Sequence, residues 1–157
     1  MSQPTVVHNT FVIERSYPVT PERMFAAFAD PAKKRRWFAE SENYETEQFS
    51  ADFTTDGSEH ASYRFKAGTP FPGTSLTYRG SYQDIVANRR IVIASTMTLG
   101  DRRFSASLVT FEFLPTEKGT DLIFTHQGAF FEGADGPEMR AAGWRKLLDQ
   151  LAAELAR

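Results

Sequence analysis

The sequence predicts an α+β fold in which a curved antiparallel sheet is closed by one long C-terminal helix, and three observations carry this. Residues 137–157 place Trp144, Leu147, Leu148, Leu151 and Leu155 at helical spacing on one stripe, with Arg145, Lys146, Asp149, Gln150 and Glu154 opposite. Residues 49–127 alternate apolar and polar positions in short runs separated by turn signals, the period of strands in a meander. Two helix starts, Thr20-Pro21-Glu22 and Asp30-Pro31, separate a first strand from that meander. A meander with one apolar face must be covered. At ~1.5 Å per residue the terminal helix is roughly 30 Å long, and no other segment is long enough to do it.

In chain order, residues 1–9 read as a polar lead-in. Residues 10–19 form a strand with Phe11, Ile13 and Arg15 on one side and Val12, Glu14 and Ser16 on the other. Thr20 caps a helix that runs to about Phe28 and offers Met24, Phe25 and Phe28 as an apolar edge; a second short helix carries residues 33–38. Phe49, Ala51 and Phe53 alternate as a strand, Asp56-Gly57 marks a tight hairpin, and the return strand is 58–66. Residues 67–75 hold Gly68, Pro70, Pro72 and Gly73 and read as a loop. Strands follow at 76–86, 91–99, 104–114 and 120–127, separated by turns at Asn88-Arg89, Gly100-Asp101 and Lys118-Gly119. In the final helix Pro137 follows Gly136 at a first helical position, and Glu138 sets an acid where the helix dipole favours it. Gly143 costs that helix roughly 1 kcal/mol against Ala, which predicts close backbone packing beside Trp144.

The chain of 157 residues is one domain by size, without repeat or linker. Its 14 Phe, 5 Tyr and 2 Trp imply either a bulky core or a cavity walled by flat apolar faces. A net charge of −2 gives no general attraction to nucleic acid or anionic membrane. With no cysteine, disulfides, thiolate metal sites and Cys nucleophiles are excluded, and the composition is compatible with the expected cytoplasmic location. Neither a signal peptide's apolar segment nor a run of roughly 18 apolar residues is present. Lys33-Lys34-Arg35-Arg36, the one basic run, reads as a solvated helix face, as does the acidic series Glu40, Glu42, Glu45 and Glu47, unless the two pair across a homodimer. His8, His60 and His126 are far apart and form no metal-spaced pair, so we expect neither metal nor cofactor. There is no G-x-S-x-G, Gly-rich phosphate loop or triad.

The order of strand, two short helices, meander and long helix resembles the helix-grip fold of the START-like (SRPBCC, Bet v 1-like) superfamily. Local motifs resemble one branch, the family named after the activator of heat-shock protein 90 ATPase. They are Phe11-Val12-Ile13-Glu14-Arg15, the helix pair from Thr20-Pro21-Glu22-Arg23-Met24-Phe25 through Asp30-Pro31 to Trp37-Phe38, and Gly80-Ser81-Tyr82-Gln83-Asp84-Ile85 before Arg90-Ile91-Val92. Leu122-Ile123-Phe124-Thr125-His126 and Gly143-Trp144 complete the set. The chain departs from its relatives at Asp56-Gly57, where a Gly-Gly pair is common, and at Ser95, near a frequent Trp.

The resemblance implies a cavity between sheet and helix. The residues expected around it are Trp37, Phe38, Tyr63, Phe65, Tyr78, Tyr82, Phe111, Phe113, Phe124, Trp144 and Leu148, although strand parity alone fits a solid core equally well. His126 shares a face with Leu122 and Phe124 and points inward, either as an orienting or acid-base group or as a core histidine satisfied by a hydroxyl. Arg140, four residues before Trp144, either meets an anionic ligand group or snorkels to water. Phe130-Phe131 before the 132–136 loop is either a gate or a plug. Three functions remain: a module binding a small apolar, aromatic or lipid-like molecule, oriented by Tyr78, Tyr82, His126 or Arg140; an interaction protein for a chaperone partner; and an enzyme resembling the superfamily's aromatic cyclases. The balance leans away from an enzyme, and monomer and homodimer both stay open.

Overall fold

The structure is a computed structural model and describes residues 4–157. Strand β1 (Val7–Tyr17) leads into helices α1 (Pro21–Ala29) and α2 (Pro31–Lys34), the latter prolonged by a single π-turn over Arg35–Ala39. Strands β2 (Tyr44–Ala51), β3 (Ser58–Phe65), β4 (Ser75–Val86), β5 (Arg90–Leu99), β6 (Arg102–Thr116) and β7 (Gly119–Phe130) follow, and helix α3 (Pro137–Leu155) ends the fold. The sheet order is β1-β7-β6-β5-β4-β3-β2, antiparallel throughout. Register shifts at Thr46/Gln48, Tyr82/Asp84 and Met97/Thr98 are bulges of the kind that bend a sheet. This is the α+β helix-grip arrangement, with one end of the meander joined to β1 and α3 laid across the inner face.

Several local expectations shift. The lead-in is shorter than read, because β1 already pairs with β7 from Val7; the apolar alternation begins only at Phe11 and hides the polar start. β2 starts at Tyr44 and β7 runs on to Phe130, past the expected end at Gln127. The expected helix over 33–38 is a four-residue α-turn, capped by the Asp30 carboxylate on Ala32 N–H at 2.9 Å, followed by the π-turn. That turn directs Trp37, Phe38 and Ala39 inward together.

Helix α3 is tied down along its C-terminal half. Leu148, Leu151 and Leu155 are buried, each contributing roughly 1.5–3 kcal/mol. The Tyr17 hydroxyl donates to the Leu148 carbonyl at 3.0 Å, Gln150 donates to the Trp37 carbonyl at 2.7 Å, and Arg23 donates to the Leu155 carbonyl at 2.6 Å. Arg23 thus places a cation on the helix's negative end. Glu154 does not share the solvent side with Arg145 and Lys146 as its sequence position suggests. It is 9% exposed and receives both forks of Arg36 at 2.7 Å, and this hydrogen-bonded guanidinium lowers its pKa.

Candidate functional site

The inner face of the sheet divides into two ends. At one end Phe28 from α1 wedges among Trp37 of the π-turn and Phe111 and Phe113 of β6, with ring centroids 4.9–5.2 Å from its own. Phe124 and Leu148 close that cluster. At the other end a cavity of about 600 Å³ remains between α3 and the sheet, within the range of small-molecule sites. Tyr63, Phe65, Leu76, Met97, Phe104 and Val109 form its floor. Trp144, 4.3 Å from Phe124 by ring centroid, stands as the partition between the two ends.

Of the residues expected around a cavity, Phe38, Tyr63, Phe65, Tyr78, His126, Arg140 and Trp144 line it. Trp37, Tyr82, Phe111, Phe113, Phe124 and Leu148 belong to the packed core instead. Strand parity accounts for the inward strand residues; what separates the two groups is which of them Phe28 and Trp37 pack against, which no single strand encodes. Gly143 also differs from expectation. A Cβ there would meet nothing within 4 Å, so this glycine opens space on the cavity wall rather than admitting a close neighbour. Ser95 lines the cavity as well.

Lys34 overturns the reading of the basic run as a solvated face. It is 1% exposed, and its ammonium donates to both oxygens of Glu59, itself 1% exposed, at 2.8 and 3.0 Å. Phe38 lies under the ammonium at 4.7 Å from the ring centroid. The remaining Glu59 lone pairs accept the hydroxyls of Tyr78, at 3.0 Å, and of Tyr82. Both phenols therefore face this cluster rather than standing free to orient a ligand, and burial together with the Glu59 charge raises both their pKa values. Gly80 makes the reach possible: a Cβ there would sit 2.7 Å from the Tyr78 hydroxyl. Lys34 and Glu59 are the functional-looking pair that sequence reasoning missed. The inward parity of Glu59 with Ala61 and Tyr63 was the available signal. Arg36 likewise departs from a solvated face by reaching the buried Glu154, whereas Arg35 pairs with Glu40 at 3.2 Å and Glu47 with Arg64 at 3.3 Å at the surface.

Arg140 neither snorkels nor waits for an anion. It is 9% exposed, donates to both oxygens of Asp135 at 2.7 and 2.9 Å and to the Ser105 hydroxyl at 2.9 Å, and lies over the Phe130 ring at 5.0 Å. Phe130 is buried as a plug beneath it. His126, 1% exposed, stacks on Phe11 at 4.7 Å and has no hydroxyl satisfying it; its Nδ1 is buried without a partner. Burial, then the nearby Arg140 charge, pushes its pKa down to about 4, so the imidazole is neutral at neutral pH. Burial likewise raises Tyr63 well above an ordinary phenol and pushes Tyr44 up to about 12. Among the described residues no three His, Asp or Glu side chains are placed to hold a metal ion, and no helix is long and apolar enough to cross a membrane.

The sequence profile of the family described as "Activator of Hsp90 ATPase homolog 1-like protein" matches residues 18–156. The chain is similar to the Mll3558 protein of Rhizobium loti, with 44% identity over 96% of this chain and 99% of that one and a TM-score of 0.84. An uncharacterized protein of Rhizobium leguminosarum is 35% identical over 97% of both chains, with a TM-score of 0.90. An AHSA1-like protein of Aeromonas hydrophila shares the fold at 21% identity, covering 94% and 92% of the two chains with a TM-score of 0.68. No curated protein matches the chain.

Proposed function

The chain belongs to the Activator of Hsp90 ATPase homolog 1-like family, and from that premise we propose that it binds a small apolar molecule in the cavity between sheet and α3. The observation that carries this reading is the cavity of about 600 Å³ itself, kept open at Gly143 where the helix would be more stable with Ala. A hollow of this size lined by Tyr63, Phe65, Leu76, Met97 and Trp144 sacrifices the packing that the other end of the sheet enjoys. An apolar guest restores it, offering flat faces to the rings and one polar contact to His126. The test is native mass spectrometry of the purified protein before and after mild organic extraction, followed by reloading with N-phenyl-1-naphthylamine. A small-molecule adduct that is lost on extraction, or one-to-one reloading, supports the reading; a bare mass that takes up no probe contradicts it.

The chaperone-partner reading draws on the family description and on the outer face of the sheet. Val12, Leu108 and Leu114 are exposed there, but they stand singly among Thr110, Glu112 and Thr125, without the contiguity of a docking patch. A cyclase-like activity would have His126 as its acid-base group.

A further inference from the structure

The inference drawn here rests on the cavity being a ligand site and concerns the chemical class of the ligand. Among the described residues, two buried side-chain polar atoms lack a hydrogen-bond partner, His126 Nδ1 and Asn9 Oδ1. They are not scattered over the molecule. Across the β1–β7 pair Phe11 faces His126 and Asn9 faces Gly128, so the two atoms belong to adjacent inward rungs. Gly128 supplies no side chain between them, and a Cβ there would lie 2.8 Å from His126 Cε1. Roughly nine in ten buried polar atoms in folded proteins have a partner. Only His126 of the two lines the cavity, and its ring is the buried polar group there that a guest can still satisfy.

The charges near that place are already committed. The Arg140 guanidinium is held bidentately by Asp135 and by Ser105, and Asp135 itself lines the cavity. A carboxylate entering here would have to displace Asp135 from Arg140 or lie beside it as a second buried anion. Lys146, the other cation on the lining, is exposed. We propose that the ligand is an uncharged, flat apolar molecule whose hydroxyl hydrogen-bonds at His126 in the depth of the cavity, and that the cavity rejects the matching carboxylate. A neutral imidazole satisfies a hydroxyl fully, whereas it leaves a carboxylate stripped of water and without a counter-charge.

Equilibrium dialysis of the full chain at neutral pH against naphthalene, 2-naphthol and 2-naphthoate tests this. We expect 2-naphthol to bind roughly tenfold tighter than naphthalene, the usual worth of one buried hydrogen bond, and 2-naphthoate to bind more weakly than 2-naphthol by at least that factor. His126→Phe, which keeps the apolar wall, should make naphthol and naphthalene equal, and His126→Asn, which keeps a polar atom near Nδ1, should restore part of the preference. Should His126→Phe fail to fold, the imidazole nitrogen resonances of the unmodified protein give the same answer: 2-naphthol shifts them and naphthalene does not. Naphthol binding no tighter than naphthalene, naphthoate matching naphthol, or no imidazole shift would overturn the hydroxyl assignment and leave the cavity reading in place. Failure of all three compounds to bind would overturn both.

Discussion

Under the C-terminal half of α3 the inner face of the sheet is filled with rings, while under its N-terminal half the same face is hollow. The two ends do not differ in how apolar they are. Phe28, Phe111, Phe113 and Phe124 occupy one, and Phe65, Leu76, Met97 and Phe104 the other. They differ in what comes from the opposite side. α1 and the π-turn push Phe28 and Trp37 down between α3 and the sheet, whereas beyond Trp144 the helix presents Gly143 and the paired, buried Arg140. A hollow in this fold is therefore made by the helical layer, and the strands alone do not reveal it. The Lys34–Glu59 pair belongs to the boundary, since Tyr78 lines the cavity with its ring and joins the buried pair with its hydroxyl.

Substitutions at the two ends should separate sharply. Glu59→Ala leaves a buried ammonium without its counter-charge and should cost about 3–5 kcal/mol in urea unfolding. Phe111→Ala, in the packed end, should cost a similar ~3–5 kcal/mol because the space left cannot collapse. Leu147→Ala, on the cavity wall and already half-exposed, should cost no more than about 1 kcal/mol. Equal costs for Phe111→Ala and Leu147→Ala would erase the distinction between the ends.

Acid should also find the hollow end. The neutral form of His126 is favoured in the folded protein, with a pKa near 4 against ~6.5 for a free imidazole, so the unfolded chain binds the extra proton first. Its stabilising contribution is complete above pH ~6.5 and is lost as pH falls toward 4, with a slope of at most ~1.4 kcal/mol per pH unit. The charged groups facing this ring are Arg140, which opposes protonation, and Asp135, which weakly favours it. Urea melts across that window, compared with those of His126→Phe, isolate the effect from surface carboxylates: the variant should lack this segment of the pH dependence. The smallest effect is expected at Gly143→Ala, which should stabilise the protein by about 0.5–1 kcal/mol through helix propensity, since the added methyl meets no neighbour.

The helix-grip frame was legible because its signals are local. Alternation places Val109, Phe111 and Phe113 on one face, Thr20-Pro21 and Asp30-Pro31 start helices, and the leucine stripe of α3 is read at a glance. The site was half legible. Inward parity found Tyr63, Phe65, Tyr78 and His126, but whether an inward ring packs or lines a void depends on a side chain from another element. Charge misled in three places for one reason. Lys34, Glu154 and Arg140 read as solvent-facing or ligand-facing, and each is satisfied by a partner, Glu59, Arg36 or Asp135, that strand pairing and helix docking bring within reach. A sequence shows the charge but not its neutralisation. Gly143 was misread for the converse reason, since an absent side chain makes close packing and open space look alike.

The central claim is that the hollow end takes a guest, and it is tested most directly by fluorescence titration with N-phenyl-1-naphthylamine of the unmodified protein and of Gly143→Phe, whose ring would project into the cavity. The account predicts saturable one-to-one binding to the unmodified protein, and its loss in a variant that melts at least as high. Equal binding by both proteins would contradict it.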